Sequence, residues 1–204
     1  MALLGRTKKE VLLEFRTSEI LHAARSVFAT HGYARATVDE IAEVAGLAKG
    51  TIYLYFPSKQ DLFLAALREG VEQLHAQARD GIAQAVTVQD KIRAFVNARL
   101  DYCGRNREFF RIYYTEFASV QVRSSNAQPE FQDLYEQQLR VLESVIEEGI
   151  ASGEIRPLES AKVARLVYEV TRSAVAQHML AWPDQRPEET TELVTDLIWR
   201  GIGC

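Results

Sequence analysis

The sequence predicts an all-α protein of about nine helices, and three observations lead to this prediction. Apolar residues recur with helical period along nearly the whole chain, and no segment alternates as a β-strand does. All five prolines lie where helices should begin or end. Glycines follow several apolar runs as helix caps do, at Gly32, Gly104 and Gly153. The predicted helices span residues 8–31 (which could break near Thr17 and Ser18), 38–45, 49–56, 59–84, 89–103, 106–122, 130–152, 160–181 and 188–201.

Length and charge predict two parts. A chain of 204 residues can form one or two domains with a sizeable core. Its net charge of −4 is uneven, because residues 1–60 carry +2 and the remainder −6. A mildly basic end can approach phosphates, although chance scatter of charge would look the same. Since the helix starting at Lys59 has no clean break, it should join the two parts. We expect a three-helix N-terminal domain over 1–62 and a helical domain over 63–204.

Composition also bounds the class of protein. The chain is 47% hydrophobic and 25% charged, as soluble globular proteins are. Cys103 and Cys204 lie far apart and form neither a disulfide framework nor a metal motif, so a cytoplasmic location is expected. Glu10 and Glu14 interrupt the apolar run near the N-terminus, which therefore does not resemble a signal peptide. No apolar stretch has the length of a membrane span, and we expect no membrane partner.

Two short helices near the N-terminus predict a helix-turn-helix. Thr37 and Glu40 match the capping box S/T-x-x-E, so a helix should begin after Thr37. Gly46 permits a positive φ and a sharp turn. In the second helix, Ile52 and Phe56 are four residues apart and can pack inward against the first helix. In a helix-turn-helix the second helix enters the major groove of DNA.

The outer face of the second short helix suits a nucleic-acid partner. Lys49 and Thr51 can reach phosphates or base edges, and two neighbouring tyrosines offer hydroxyl groups to the DNA backbone. Gly50 costs roughly 1 kcal/mol relative to alanine in a helix, but it lets the backbone approach DNA closely. Leu54 could touch a thymine methyl group. A small helical hairpin with ordinary surface residues would leave the same pattern, so this alternative stays open.

The next helix begins at a second capping pattern, formed by Ser58 and Asp61, with Lys59 in its first turn. A lysine at this place is unfavourable for the helix dipole. A nearby phosphate would offset that penalty and would also accept the N–H groups of the first turn. Lys59 is therefore a further candidate for DNA binding.

The stretch FATHGYARATVDEIAEVAGLAKGTIYLYFPSKQDLF, from Phe28 to Phe63, resembles the DNA-binding domain of the TetR family of bacterial transcriptional regulators. It matches the family's T-hydrophobic-x-x-I-A-x-x-A-G, K-G-T and Y-x-Y/H-F-x-x-K-x-x-L patterns at nearly every fixed position. The resemblance is strong over about residues 18–80 and architectural beyond. With Leu54 added from its place on the outer face, the DNA-contacting residues that the resemblance implies are Tyr33, Thr37, Lys49, Gly50, Thr51, Tyr53, Leu54, Tyr55 and Lys59.

The sequence departs from the family pattern at two positions. Ala48 stands where the family usually has serine, which would remove one contact to the DNA backbone. Leu54 replaces a polar or aromatic residue, which bears on the operator sequence. Outside the pattern, Arg6, Lys8 and Lys9 are either a basic arm in a DNA groove or an ordinary solvated terminus.

The resemblance implies that the rest of the chain binds an inducer and dimerises. The segment REFFRIYYTEFASV carries five aromatic residues within nine positions, which is typical of a core and also of helices that enclose a small apolar molecule. Polar residues on apolar helix faces are satisfied core groups or, together, orienting contacts for a ligand. The predicted ligand-binding residues are Phe95, Arg99, Tyr102, Phe110, Tyr113, Tyr114, Gln138, Tyr168, Thr171 and His178.

The last two helices predict a dimer surface. They carry an apolar stripe and several small residues, and two such helices from each of two chains could form a four-helix bundle. The same residues could instead complete the core of a single chain. A two-fold dimer reads two half-sites roughly 34–36 Å apart, whereas a single helix-turn-helix makes few base contacts. The candidate dimerisation residues are Ala164, Ala174, Val175, Leu193, Val194, Leu197, Ile198, Trp199 and Gly201.

These features predict a ligand-responsive transcriptional regulator. In its simplest form it is a repressor that binds a palindromic operator as a homodimer and is released by a small apolar or amphipathic effector. The alternative is a helical small-molecule-binding or interaction protein without sequence-specific DNA binding. The sequence contains no H-E-x-x-H, G-x-S-x-G, G-x-G-x-x-G or Walker pattern, and its four histidines are dispersed. We therefore expect no enzymatic activity, no cofactor and no metal.

Overall fold

The computed structural model describes residues 7–112, 129–180 and 186–204, and within these ranges the chain is helical, without β-strands, as predicted. No helix in the described ranges is long and apolar enough to cross a membrane. The helices are α1 (Lys8–Arg35), α2 (Val38–Val44), α3 (Lys49–Tyr55), α4 (Lys59–Gln84), α5 (Val88–Arg105), α6 (Arg107–Ile112), α7 (Pro129–Ser152), α8 (Ser160–Leu180) and α9 (Pro187–Ile202).

Most predicted helix bounds agree with the structure, and α4 agrees at both ends. Helix α1 has no break near Thr17 and Ser18, where one was allowed. Gly32, with φ of 74° and ψ of 164°, leaves the helical conformation next to the predicted helix end at residue 31, and a further turn to Arg35 follows this kink. The prediction that Gly104 caps a helix is wrong, because α5 continues to Arg105. Asn106 ends α5 instead, since its side-chain amide donates to the carbonyl of Tyr102 at 2.9 Å. The predicted helix over 106–122 is described only as far as Ile112.

The chain folds as two compact units, Met1–Gly70 (unit 1) and Val71–Cys204 (unit 2). The division falls inside α4, and so does the domain boundary at residue 62 that the sequence suggests. Because α4 is one continuous helix from Lys59 to Gln84, it belongs to both units. The domain bounds 1–62 and 63–204 stay a prediction.

Unit 1 packs α2 against α1 and α3 against α2. Its core includes the fully buried side chains of Ile20, Ile41 and Ile52, one from each of the three helices. Phe28 of α1 and Phe63 of α4 meet edge to face with ring centroids 5.2 Å apart. Since burying a side chain of this size contributes about 1.5–3 kcal/mol, the core holds α2 and α3 at fixed positions on α1.

Unit 2 is built around α5, which packs against α6, α7, α8 and α9. Phe95 and Leu100 of α5 and Leu142 and Ile146 of α7 are fully buried in its core. Helix α7 ends at a glycine turn, where Gly153 adopts a φ of 78°. The segment after this turn pairs with the C-terminus, since the N–H of residue 156 donates to the carbonyl of residue 202 at 3.0 Å. This pairing fixes the end of α9 to the end of α7.

Candidate functional site

The start of α2 confirms the predicted capping box. The Thr37 hydroxyl accepts a hydrogen bond from the Glu40 N–H at 3.2 Å, and the Glu40 carboxylate accepts one from the Thr37 N–H at 2.8 Å. The bond from the Thr37 backbone is the main reason that the pKa of Glu40 lies below its usual value. Gly46 takes a φ of 65° in the turn that follows α2. Local sequence therefore sets both the start of α2 and the sharp turn into α3.

Helix α3 has one buried side and one exposed side. Ile52 and Phe56 are buried, as predicted. Leu54 is 84% exposed and Tyr53 is 44% exposed, while Tyr55 is half-buried. An apolar side chain as exposed as Leu54 gains nothing from the protein's own core, so it is available to an external partner.

Lys49 opens α3 and is held by α2. Its Nζ donates to Oδ2 of Asp39 at 2.7 Å, and this hydrogen bond is the main reason that the pKa of Lys49 is raised. Both side chains are about half exposed or more, so solvent screens the pair. Ala48 at the N-cap position of α3 makes no side-chain capping bond. A phosphate that binds Lys49 must compete with Asp39.

No contact among the described residues requires a glycine at the position of Gly50. A Cβ atom built on Gly50 meets no described atom within 4 Å, and its φ is not in the left-handed region. An alanine would therefore fit, and it would favour the helix by roughly 1 kcal/mol. The missing side chain is useful only to a partner that approaches the backbone of α3.

Lys59 closes the C-terminal end of α1. Its Nζ donates to the carbonyl oxygens of Tyr33 at 2.8 Å and Ala36 at 3.0 Å, and lies 3.4 Å from that of Ala34. The same ammonium lies 4.6 Å from the centroid of the Tyr33 ring. Because these carbonyls are the unsatisfied end of α1, they offset the penalty of a lysine in the first turn of α4. The structure thus brings Tyr33 and Lys59 together.

Unit 2 contains a buried cation among aromatic rings. Arg99 of α5 is 6% exposed, and its guanidinium carbon lies 4.4 Å from the ring centroid of Tyr168 and 5.4 Å from that of Phe95. Tyr168 of α8 in turn meets Tyr135 of α7 edge to face at 4.8 Å. These contacts join α5, α7 and α8 around one polar and aromatic cluster.

Two buried polar side chains of unit 2 carry polar atoms that have no hydrogen-bond partner among the described residues. Gln138 is 0% exposed, and both its amide nitrogen and its amide oxygen lack a partner. His75 of α4 is 2% exposed, and its Nδ1 lacks one. Burial, aided by the positive charges of Arg99 and Arg79, lowers the pKa of His75 to about 3, so its imidazole is neutral. Buried polar groups without partners are rare in native proteins and call for an explanation.

The other predicted ligand residues have different surroundings. The hydroxyl of Thr171 donates to the carbonyl of Val167 at 2.8 Å and is satisfied within α8. Tyr102 donates to Gln73 at 2.8 Å, and its ring meets that of Phe110 at 5.9 Å. His178 is buried, its Nδ1 has no hydrogen-bond partner among the described residues, and burial and the charge of Arg107 lower its pKa. Tyr113 and Tyr114 lie outside the described residues.

A surface groove that sequence reasoning missed runs between α4, α5 and α7. It encloses about 590 Å³, and Arg79, Lys91 and Arg140 stand among apolar side chains that include Ile82 and Val141. The charged side chains of the groove are these three basic ones and one acidic one, Glu148, which pairs with Lys91 at 2.6 Å. Each basic residue comes from a different helix, which explains why no motif in the sequence shows the groove.

The predicted dimerisation residues divide into two sets. Ala164, Val175, Val194 and Ile198 are buried within unit 2. Leu193 and Leu197 of α9 are 55% and 60% exposed. On α8, the exposed apolar residues are ones that the sequence analysis did not select: Leu166, Val170 and Leu180. Of the remaining candidates, Ala174 and Trp199 are half-buried and Gly201 is exposed.

Comparisons with known families agree with this architecture. The sequence model of the family described as "Bacterial regulatory proteins, tetR family" matches residues 20–66, which contain the helix-turn-helix. The model described as "Tetracyclin repressor-like, C-terminal domain" matches residues 85–202, more than half of the chain. The two matches fall on either side of the division in α4.

Individual relatives point in the same direction. The fatty acid metabolism regulator protein of Bacillus subtilis is 28% identical over 149 residues, which cover 72% of this chain and 74% of that protein. The repressor KstR2 of Mycobacterium tuberculosis is 28% identical over 160 residues, which cover 76% and 78%. The solved structure of the regulator FadR from Bacillus subtilis, in complex with stearoyl-CoA, has the same fold, with a TM-score of 0.74 at 24% identity over 91% of this chain and 98% of that one. The chain therefore belongs to the TetR family of bacterial transcriptional regulators, and the helix-turn-helix of unit 1 is its DNA-binding element.

Proposed function

We propose that this regulator is a cytoplasmic repressor that binds a palindromic operator as a homodimer and leaves it when an amphipathic effector binds in unit 2. The exposed face of α3 is the observation that carries the proposal. It combines a half-exposed lysine, a glycine without a structural role and a leucine that is 84% exposed. A repressor that inserts α3 into the major groove needs all three.

Each residue of this face has a role in the proposal. Lys49, Thr51, Tyr53 and Tyr55 contact phosphates and fix the position of α3, and Thr37 adds a contact from the start of α2. Leu54 contacts a thymine methyl group, since a leucine has no hydrogen-bonding group with which to read a base. Gly50 brings the α3 backbone close to the DNA.

Tyr33 and Lys59 act in a second way. The ammonium of Lys59 already donates to the end of α1, so any phosphate contact must share it with those carbonyls. We assign to Lys59 chiefly the task of fixing α4 to α1, and to Tyr33 that of stacking beneath its ammonium. Loss of Lys59 would then disturb the position of α3 indirectly.

The dimer forms through the exposed apolar residues of α8 and α9. Leu166 and Val170 lie one turn apart on α8, and Leu193 and Leu197 lie one turn apart on α9. All four are more than 40% exposed, and the two helices pack against each other within unit 2. Two helices from each chain would bury these ridges in a four-helix bundle. The buried Val194 and Ile198 support the bundle from the inside of each chain.

The effector is an amphipathic acyl compound that binds among α4, α5, α7 and α8. Two comparisons support this class, because one relative is named for fatty acid metabolism and one structural neighbour holds stearoyl-CoA. The aromatic and apolar interior around Phe95 and Tyr168 suits an acyl chain. The basic groove with Arg79, Lys91 and Arg140 suits the phosphates of a coenzyme A ester.

Effector binding changes DNA affinity as a shift of population. Helix α4 runs through both units, so a displacement of its C-terminal half is carried to the half that holds the end of α1. An effector that prefers the conformation with misplaced α3 helices weakens operator binding by its difference in affinity between the two states.

The test begins with selection of bound duplexes from a random DNA pool. We expect one inverted repeat, with half-sites about one helical turn apart. Lys49→Ala should lose most of this binding, whereas Lys162→Ala, an exposed lysine of α8, should keep it. Palmitoyl-CoA should then release the wild-type protein from the recovered duplex. Recovery of no motif would instead favour a helical protein that binds small molecules without reading DNA.

A further inference from the structure

Gln138 lowers the stability of the folded protein at its position on α7. It lies on the buried face of α7 with Leu134 and Leu142, one turn away on either side, and all three are buried. A primary amide has two donors and an acceptor, and neither polar atom of this one has a hydrogen-bond partner among the described residues. Each such group costs about 1–3 kcal/mol when it is buried without a partner. A methionine or leucine would fill the same space without this cost.

A cluster of aromatic rings and a cation begins one turn before Gln138 on α7. Tyr135, one turn before it, touches the ring of Tyr168, and Tyr168 carries the guanidinium of Arg99 on its face. His75 stands within the electrostatic reach of Arg99 and is neutral. The amide of α7 thus lies one turn from a ring contact that leads through Tyr168 to the guanidinium of α5, and the imidazole of α4 interacts electrostatically with that guanidinium.

The electrostatics of this region favour an oxygen acceptor. Burial is the main cause that lowers the pKa of His75, and the positive charge of Arg99 adds to it. The same charge opposes the rise that burial imposes on the pKa of Cys103, which reaches about 12. A group with negative charge or partial negative charge is stabilised beside such a cation. The amide N–H groups of Gln138 are directional hydrogen-bond donors. The guanidinium of Arg99, which stacks on two rings, adds a positive charge.

We propose that Gln138 binds the carbonyl oxygen of the acyl effector in the interior of unit 2, where Arg99 stacks on Tyr168 and Phe95. This inference rests on the proposed function and adds to it the polar group that the effector must carry and the residue that recognises it. Gln138 donates an N–H to the carbonyl oxygen, and Arg99 stabilises the negative end of the carbonyl dipole. The acyl chain lies against Phe95, Leu134 and Leu142. A free carboxylic acid and a coenzyme A thioester both supply this carbonyl.

The test uses two ligands that differ by one oxygen. Palmitoyl-CoA has the thioester carbonyl, and S-hexadecyl-CoA, a thioether of equal chain length, lacks it. We expect the wild-type protein to bind palmitoyl-CoA about tenfold more tightly than S-hexadecyl-CoA, as measured by calorimetry, because a hydrogen bond to a buried group is at stake. Gln138→Met should lose about that tenfold for palmitoyl-CoA and leave S-hexadecyl-CoA unchanged.

Thermal unfolding separates recognition from folding. Gln138→Met should unfold at the wild-type temperature or above it, because it removes a buried amide without a partner. The matched control is Thr195→Val on α9, where another buried hydroxyl has no partner among the described residues. This variant should also keep or raise the unfolding temperature, but it should bind both ligands as the wild type does.

Each outcome decides the inference. Equal wild-type affinity for the two CoA compounds, or an undiminished affinity of Gln138→Met for palmitoyl-CoA, would overturn it, and the first comparison needs no variant at all. Tighter binding of palmitate than of palmitoyl-CoA, lost in Gln138→Met, would identify the free acid as the source of the carbonyl. If no ligand binds while the operator is still bound, the carbonyl site and the acyl class fall, but DNA recognition stands.

Discussion

The unusual residues of unit 1 lie on its surface, and those of unit 2 lie in its interior. Lys49 of unit 1 is held by a carboxylate and Lys59 by the carbonyls of a helix end, yet both remain close to solvent. Gln138 and His75 of unit 2 are fully buried, and polar atoms of both lack hydrogen bonds to described residues. The contrast shows that half-exposed charged groups, as in unit 1, change stability little, whereas buried polar groups without partners, as in unit 2, each lower it by about 1–3 kcal/mol.

The largest expected effect is on operator affinity, because dimerisation through unit 2 should determine how tightly unit 1 binds DNA. The double variant Leu193→Asp, Leu197→Asp places two charges on the proposed bundle surface. We expect a monomer by sedimentation and a loss of operator affinity on the order of 100-fold or more, since the second half-site no longer binds intramolecularly. Leu158→Asp, at an exposed leucine between α7 and α8, is the control and should remain dimeric. A dimeric double variant would move the interface elsewhere.

The burial of His75 in unit 2 should make the stability of the folded protein depend on pH. The folded pKa of His75 is about 3, against 6.5 for a free imidazole. Below pH 6.5 the unfolded chain therefore binds a proton that the folded chain excludes, and stability falls as the pH drops from 6.5 toward 3. The loss is about 2 kcal/mol at pH 5 and as much as about 4 kcal/mol near pH 3.

Urea unfolding at pH 7.5 and pH 5 measures this loss. His75→Leu should reduce the pH dependence over this range by the His75 contribution, while the buried His178, whose pKa is also lowered, keeps its own share. His22→Gln, at an exposed position of α1, is the control for the loss of a histidine. A wild-type-like slope in His75→Leu would show that the acid sensitivity arises elsewhere.

Gly50 on the surface of unit 1 should also lower stability, but only slightly, relative to alanine at the same position. Gly50→Ala should stabilise unit 1 by up to about 1 kcal/mol, because alanine favours the helix and its Cβ meets no described atom. The same variant should weaken operator binding, because the methyl group separates α3 from the DNA backbone. A thermal melt and a filter-binding titration measure the two effects. Unchanged operator affinity would contradict the role of Gly50.

The smallest expected effect concerns the pair of Lys49 and Asp39. Asp39→Asn frees the ammonium of Lys49 and removes a negative charge near the DNA, so operator affinity should rise at low salt. The logarithm of affinity should fall more steeply with the logarithm of salt concentration, by a slope of about 0.9, if one further phosphate is neutralised. Asp80→Asn, an exposed aspartate in unit 2, should change neither quantity. A lower affinity in Asp39→Asn would mean that Asp39 positions Lys49 rather than restrains it.

Local signals were predictable from the sequence because they act within a few residues. The capping boxes at Thr37 and Ser58, the positive φ of Gly46 and the bounds of α4 all follow from neighbouring side chains and helical period. The prediction that Gly104 ends a helix was wrong. A glycine can end a helix, but the side chain of Asn106 supplied the competing cap two residues later.

Contacts between distant residues were not predictable in this way. The sequence indicated a phosphate for Lys59, whereas the structure shows its ammonium at carbonyls more than twenty residues earlier. Helical period selected Leu193, Val194, Leu197 and Ile198 as one stripe, and packing divided that stripe into an exposed ridge and a buried one. Periodicity defines a face, but the neighbouring helix decides how much of it is covered.

The amino-acid sequence by itself determined the helical class, the helix-turn-helix and the residues that α3 presents, since each depends on spacing along one or two helices. Only the tertiary structure decided that polar atoms of Gln138 and His75 are buried without hydrogen-bond partners among the described residues, and that three basic residues from α4, α5 and α7 line one groove. The physical reason is that burial and electrostatic environment are properties of several helices together. Whether a buried polar side chain destabilises the fold or binds a ligand depends on the residues that pack around it, and those residues lie far apart in the chain.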